Sequence, residues 1–214
     1  PVVSDELDRV GALTAADRDV HVEYVESGDV ELVRIAAVDQ PGLFARITAV
    51  LALHGLDVVG AAAVTRTDGV AVDEFRIARV AGVEPRWAKV ESDLRAALSG
   101  EVDVDQRLET RLRSLNRRRR AVSPVPPRLE VLVSNDASDV TTVVEVRAPD
   151  APVVLYRVAH ALSLAGLNIR SAVVATLGHE VVDVFYVTQS GSPTGRLHED
   201  AFDELRTMLR DALA

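Results

Sequence analysis

The residues best placed to do chemistry are Asp39-Gln40-Pro41-Gly42-Leu43, where a strand pattern gives way to a helix pattern. Gly42 has no Cβ, so the backbone N–H groups of the helix start can approach a ligand closely, and they suit a carboxylate. Asp39, at the strand end, can accept hydrogen bonds from an ammonium group. A small zwitterion such as an amino acid fits that pairing. The same residues also make sense without a ligand, Pro41 and Gly42 forming the turn and Asp39 capping the helix. A second segment, Asp150-Ala151-Pro152-Val153-Val154, stands in the same context but carries Val153 in place of the glycine. A β-branched side chain there crowds the close approach and disfavours a positive φ.

These two segments belong to an internal repeat with an offset of roughly 111 residues. Gly55-Leu56-Asp57-Val58 recurs as Gly166-Leu167-Asn168-Ile169, and Val72-Asp73-Glu74-Phe75 as Val182-Asp183-Val184-Phe185. In the first copy, alternation predicts a hairpin over 20–38, and a helix carries Leu43, Ile47, Val50, Leu51 and Leu53. Gly55 is placed to end that helix. A second hairpin follows through Thr67-Asp68-Gly69, then a helix with Trp87, Val90, Leu94 and Leu98 on one face. The second copy repeats this scheme from Leu129 to the end. Between them, Val104, Leu108, Leu112 and Leu115 predict an extra helix, followed by an Arg- and Pro-rich linker. The expected division is a remnant at 1–19, with Ser4 as a helix cap, a domain at 20–100, helix and linker at 101–128, and a domain at 129–214.

Each copy reads β-β-α-β-β-α, so the expected class is α+β: two ferredoxin-like domains, each an antiparallel four-stranded sheet covered by helices. A ferredoxin-like sheet needs a strand antiparallel beside its first. Either each copy supplies its own leading strand, or the strand near Leu129 completes the first domain and that near Val20 the second. Exposed sheet edges can also pair side by side, within the chain or in a homodimer.

The 214 residues carry a formal net charge of −9, which disfavours nucleic acid or an anionic membrane as partner. The chain has no cysteine, so it has no disulfide, thiolate metal site or cysteine nucleophile, in keeping with a cytoplasmic setting. His21, His54, His160, His179 and His198 are scattered without metal-ligand spacing. Asp103-Val104-Asp105 is a helix-start cluster, and the Arg117–Arg120 run lacks interleaved aromatics. No catalytic constellation, metal site or cofactor motif is present. The chain opens on Pro1 rather than Met, as a piece of a longer protein would.

The D-x-P-G-L-F segment followed by G-L-D-V resembles ACT domains, small ferredoxin-like modules that bind amino acids and regulate enzymes. "TRTDGVAVDEFRI" and "ATLGHEVVDVFYV" resemble the tandem ACT repeats at the C-terminus of bacterial protein-PII uridylyltransferases. The resemblance runs from about Val20 to the end. It implies a regulatory fragment that binds L-glutamine and controls upstream catalytic domains acting on signal protein PII. It also implies a site shared across the pair: Asp39, Gln40, Pro41, Gly42 and Leu43 with Asn168, whose amide both donates and accepts. The reciprocal site, Asp150, Val153 and Val154 with Asp57, is expected to be weakened or lost. A ligand-independent assembly module, or an ACT regulator of a different amino acid, is the alternative.

Overall fold

The structure, a computed structural model, describes residues 20–79, 85–116, 129–151, 153–192 and 194–214. The proposed Ser4 cap, the Arg117–Arg120 run, the proline-rich linker and Pro152 lie outside the described residues.

The first copy forms β1 (His21–Ser27), β2 (Val30–Val38), α1 (Leu43–Leu53), β3 (Val58–Thr65), β4 (Val70–Ala78) and α2 (Trp87–Leu98). The extra apolar stripe is α3 (Val104–Asn116). The second copy forms β5 (Glu130–Ser134), β6 (Thr142–Pro149), α4 (Val154–Leu164), β7 (Leu167–Leu177), β8 (Glu180–Gln189) and α5 (Phe202–Leu213), the last led by a short 3-10 turn. Gly55 ends α1 as its position implies. With φ at +70° its N–H reaches the Ala52 carbonyl, and the Leu56 N–H reaches Leu51, which satisfies two of the helix's terminal carbonyls.

The four-stranded sheets of the two halves are joined edge to edge, the side-by-side pairing within the chain that exposed edges allow. The strands form one eight-stranded antiparallel sheet in the order β1-β2-β4-β3-β7-β8-β6-β5. Each half uses its own leading strand, since β1 pairs with β2 and β5 with β6. Left alone, β3 and β7 would each expose a row of unpaired N–H and C=O groups. They pair with each other instead, from Gly60 opposite Ala175 to Val64 opposite Ser171. The junction strand runs Gly60-Ala61-Ala62-Ala63, and the small side chains of Ala61 and Ala63 on its core face let the helices above it approach closely.

Alternation along the strands sends one set of side chains toward the helices. Val33, Ile35, Phe75, Ile77, Val174 and Phe185 from that set are buried with Ile47, Leu51, Leu94, Leu108, Leu162 and Leu209 of the helices in a single core. Phe44 of α1 ties the halves together, its ring 5.5 Å from Phe75 and 6.3 Å, edge-on, from Phe185. The opposite set includes Val25, Val64, Leu132 and Val173, which are exposed. No helix among the described residues is long and apolar enough to cross a membrane.

Candidate functional site

The loop 39–43 is held from both sides. The Asp39 N–H donates to the Gly69 carbonyl at 2.8 Å, tying the strand end to the neighbouring hairpin turn. The Arg46 guanidinium donates to the Pro41 carbonyl at 2.7 Å. Gly42 takes φ +75° ahead of α1, and a Cβ there would lie 2.9 Å from Ser163 Oγ of α4. Only glycine meets both demands without strain.

The β3–β7 pairing brings this loop against the second half. Asp39, Gln40, Gly42, Leu43 and Asn168 line one cleft between α1, α4 and the sheet. Pro41 does not line it, and the Gln40 side chain is turned to the Leu98 carbonyl at 3.4 Å. Asn168 donates to Ser190 Oγ at 3.2 Å. The cleft is nearly closed, with a volume of about 20 Å³, room for roughly one water.

Two further residues shape this cleft. Arg170 of β7 donates to the Asp39 carboxylate at 3.1 Å. Arg170 sits where the β7–β8 register slips between Ile169 and Ser171, and such a bulge re-aims a side chain out of the strand's alternation. Asp73 lies on the helix-facing side of β4 and is 3% exposed. Burial pushes its carboxyl up to about 8, and the nearby Asp39 charge adds to this, so Asp73 is protonated at neutral pH and can donate a hydrogen bond.

The reciprocal residues also converge. Asp57, Asp150, Val153 and Val154 line a second cleft with Leu108 and Arg111 of α3 and Asp183 of β8. The Asp150 N–H donates to the His179 carbonyl at 2.9 Å, the counterpart of Asp39 and Gly69. Val153 takes φ +69°, alone in positive φ among the described non-glycine residues. The backbone therefore keeps the glycine geometry with a valine in it, and the residue carries the strain that its side chain predicts. The second cleft is open, with a volume of about 480 Å³. Asp183 is 1% exposed, and neither carboxylate oxygen has a hydrogen-bond partner among the described residues. Burial pushes Asp183 up to about 7. The Ala175 backbone offsets part of this without reaching hydrogen-bond geometry, and Asp150 adds to it. The exposed Asp57 is raised by what burial it has and by Asp150.

Asp73 and Asp183 carried a signal in the sequence: each is a charge on the core-facing phase of an apolar strand. Arg170 carried none, because its orientation comes from the bulge. The histidines stay apart, His54 on Asp93 at 2.9 Å and His160 near Asp105 at 3.7 Å, and no metal-binding group of His, Asp or Glu occurs among the described residues.

The fold and its two clefts define a repeated α+β unit with paired, pseudo-equivalent clefts at the junction of its halves. The chain is 44% identical over 166 residues to the bifunctional uridylyltransferase/uridylyl-removing enzyme of Streptomyces coelicolor, covering 74% of this chain and 20% of that enzyme. The enzyme of the same name from Ruegeria pomeroyi is 33% identical over 199 residues, 91% of this chain and 21% of that enzyme. The chain therefore belongs to the family of the bifunctional uridylyltransferase/uridylyl-removing enzymes, matching the C-terminal region of its members. It spans about a fifth of the length of these relatives. No family model matches the chain. Among solved structures, aspartate kinase from Synechocystis is 12% identical at a TM-score of 0.42, over 99% of this chain and 39% of that one, a likeness too loose to bear on fold or function.

The strain at Val153 gives a stability test. Val153→Gly should be neutral or stabilising by up to about 1 kcal/mol in urea unfolding, since relief of the left-handed valine offsets lost packing and added backbone entropy. Val154→Gly, at a buried helical position, should cost about 2 kcal/mol or more. Equal losses at the two positions would show that Val153 is unstrained.

Asp73 gives a pH test. Its folded pKa, about 8, lies above the ordinary aspartate value of 3.8, so the folded state holds a proton that the unfolded state releases. The stabilisation is full below the unfolded pKa and is lost as pH rises through the folded one. Asp73→Asn should make the slope of unfolding free energy between about pH 5 and 7 less negative by about 1.4 kcal/mol per pH unit. Parallel profiles for the two proteins would contradict the assignment.

Proposed function

We infer that the two halves, 20–100 and 129–214, are tandem ACT domains that bind L-glutamine at the first cleft and report it to catalytic domains elsewhere in the parent enzyme. In this reading those domains attach and remove uridylyl groups on signal protein PII, and this chain contributes regulation. The observation that carries it is the meeting of the Asp39–Leu43 loop from one half with Asn168 from the other on a single cleft.

The residues supply a partner for each part of the ligand. The helix-start amides behind Gly42 suit the α-carboxylate, and Asp39 suits the ammonium. Asn168 and the protonated Asp73 can hold the side-chain amide, one by donating and accepting, the other by donating. The cleft cannot admit an amino acid as it stands. The ligand ammonium takes the place of the Arg170 guanidinium on Asp39, and the walls separate. The Asp39–Arg170 pair is partly exposed and so contributes only about 0–1 kcal/mol, which makes the exchange inexpensive. Because the walls belong to different halves, occupancy favours a more open arrangement of the pair, and that difference in affinity is what passes to the rest of the enzyme.

The exposed apolar residues Val25, Val64, Leu132 and Val173, scattered over the open sheet face, favour a second reading, an interaction module that assembles through that face or its edges in a homodimer. Sedimentation with and without glutamine separates the two, since a pure assembly module ignores the amino acid.

Isothermal calorimetry on the chain should show saturable L-glutamine binding. Asn168→Ala should weaken it about tenfold, as loss of one or two hydrogen bonds implies. Gly42→Val should weaken it at least as much. No binding on the order of tens of millimolar glutamine would contradict the reading.

A further inference from the structure

The second cleft differs from the first in charge as well as in size. In the repeat register the counterpart of Arg170 is Val59, and both sit at a register slip, the latter between Val58 and Gly60. Asp39 therefore has a guanidinium beside it and Asp150 has none from the equivalent strand. The counterpart of the neutral Asn168 is Asp57, a further negative charge. Asp57, Asp150 and Asp183 line the cleft against one guanidinium, Arg111. The three are unequal in depth: Asp57 and Asp150 are exposed, while Asp183 is buried at 1% exposure with both oxygens unpartnered. A buried carboxylate without a partner is costly, and a cation that reaches it removes that cost.

The lining also selects the kind of cation. No group of three His, Asp or Glu among the described residues is close enough to hold a metal ion. The wall includes Leu56, Val58, Leu108 and Val174, which suit methylene groups. The volume of about 480 Å³ is within the range of small-molecule sites. We propose that the second cleft is a site for a small aliphatic diamine, one ammonium on the buried Asp183 and the other on Asp150 and Asp57 at the rim, its methylenes against the apolar wall. The first cleft lacks this excess of negative charge, because Arg170 neutralises Asp39. The proposal does not depend on glutamine binding there, and its failure leaves that reading untouched.

The test uses the whole chain and 1,4-diaminobutane as probe, followed by calorimetry and by amide shifts in NMR, at constant ionic strength. Saturable binding is expected, with shifts at Val153, Val154 and Asp183. Asp183→Asn should weaken it about tenfold or more. Asp150→Asn, at an exposed position that folding tolerates, should weaken it as well, and Val59→Arg, which supplies the missing guanidinium, should abolish it. Asn168→Ala should leave it unchanged. Absence of saturable binding on the order of tens of millimolar, equal binding by magnesium ion, or affinity unchanged in both Asp150→Asn and Val59→Arg would overturn the proposal.

Discussion

The pairing of β3 with β7 is the constraint on which the rest depends. It removes two sheet edges at once, and it places each half's loop opposite the other half's G-L-D or G-L-N segment. Without it, Asp39 and Asn168 belong to separate units and neither cleft exists. The small residues Ala61 and Ala63 on its helix-facing side are its local condition, since bulky side chains there would hold apart the helices whose approach brings Ser163 against Gly42. The covering of this junction by Phe44, Phe75 and Phe185 turns two pairs of hairpins into one body. The hydrogen-bond ladder fixes register, and register fixes which side chains face each other across the halves.

Duplication then gives two clefts with one backbone plan and different electrostatics. Both loops are tied to the neighbouring hairpin turn, both precede their helix in a left-handed conformation, and both face a buried Asp on the following hairpin. What differs is a handful of side chains: Gly42 against Val153, Asn168 against Asp57, Arg170 against Val59. The first set closes the cleft around an ion pair. The second leaves it open, strained at Val153 and rich in carboxylates. Such divergence after duplication changes the charge and size of the two clefts while the scaffold, under the same packing demands, stays put.

Much of this was legible in the residues. Period-2 and period-3.6 patterns located the strands and helices, including the extra α3, and the repeat showed which loops correspond. The motif residues Asp39, Gly42, Leu43 and Asn168 reach one cleft, and Asp57, Asp150, Val153 and Val154 another. Three things were not legible. The merging of the sheets depends on which edges meet, a long-range choice that local propensity does not encode. The role of Arg170 depends on a one-residue bulge, which alternation cannot reveal. The positive φ of Val153 runs against the preference of its own side chain and persists because the surrounding loop and helix determine the backbone there.

In the proposed function one ligand engages both halves at the first cleft and displaces Arg170 from Asp39. The most direct measurement is an NMR titration of the chain with L-glutamine, following the Gly42 amide, the Asn168 side-chain amide and the Arg170 Nε together. All three signals should move along one saturable curve, with the Arg170 signal shifting as its bond to Asp39 is exchanged. Movement confined to one half, or an Arg170 signal unchanged at saturation, would contradict it.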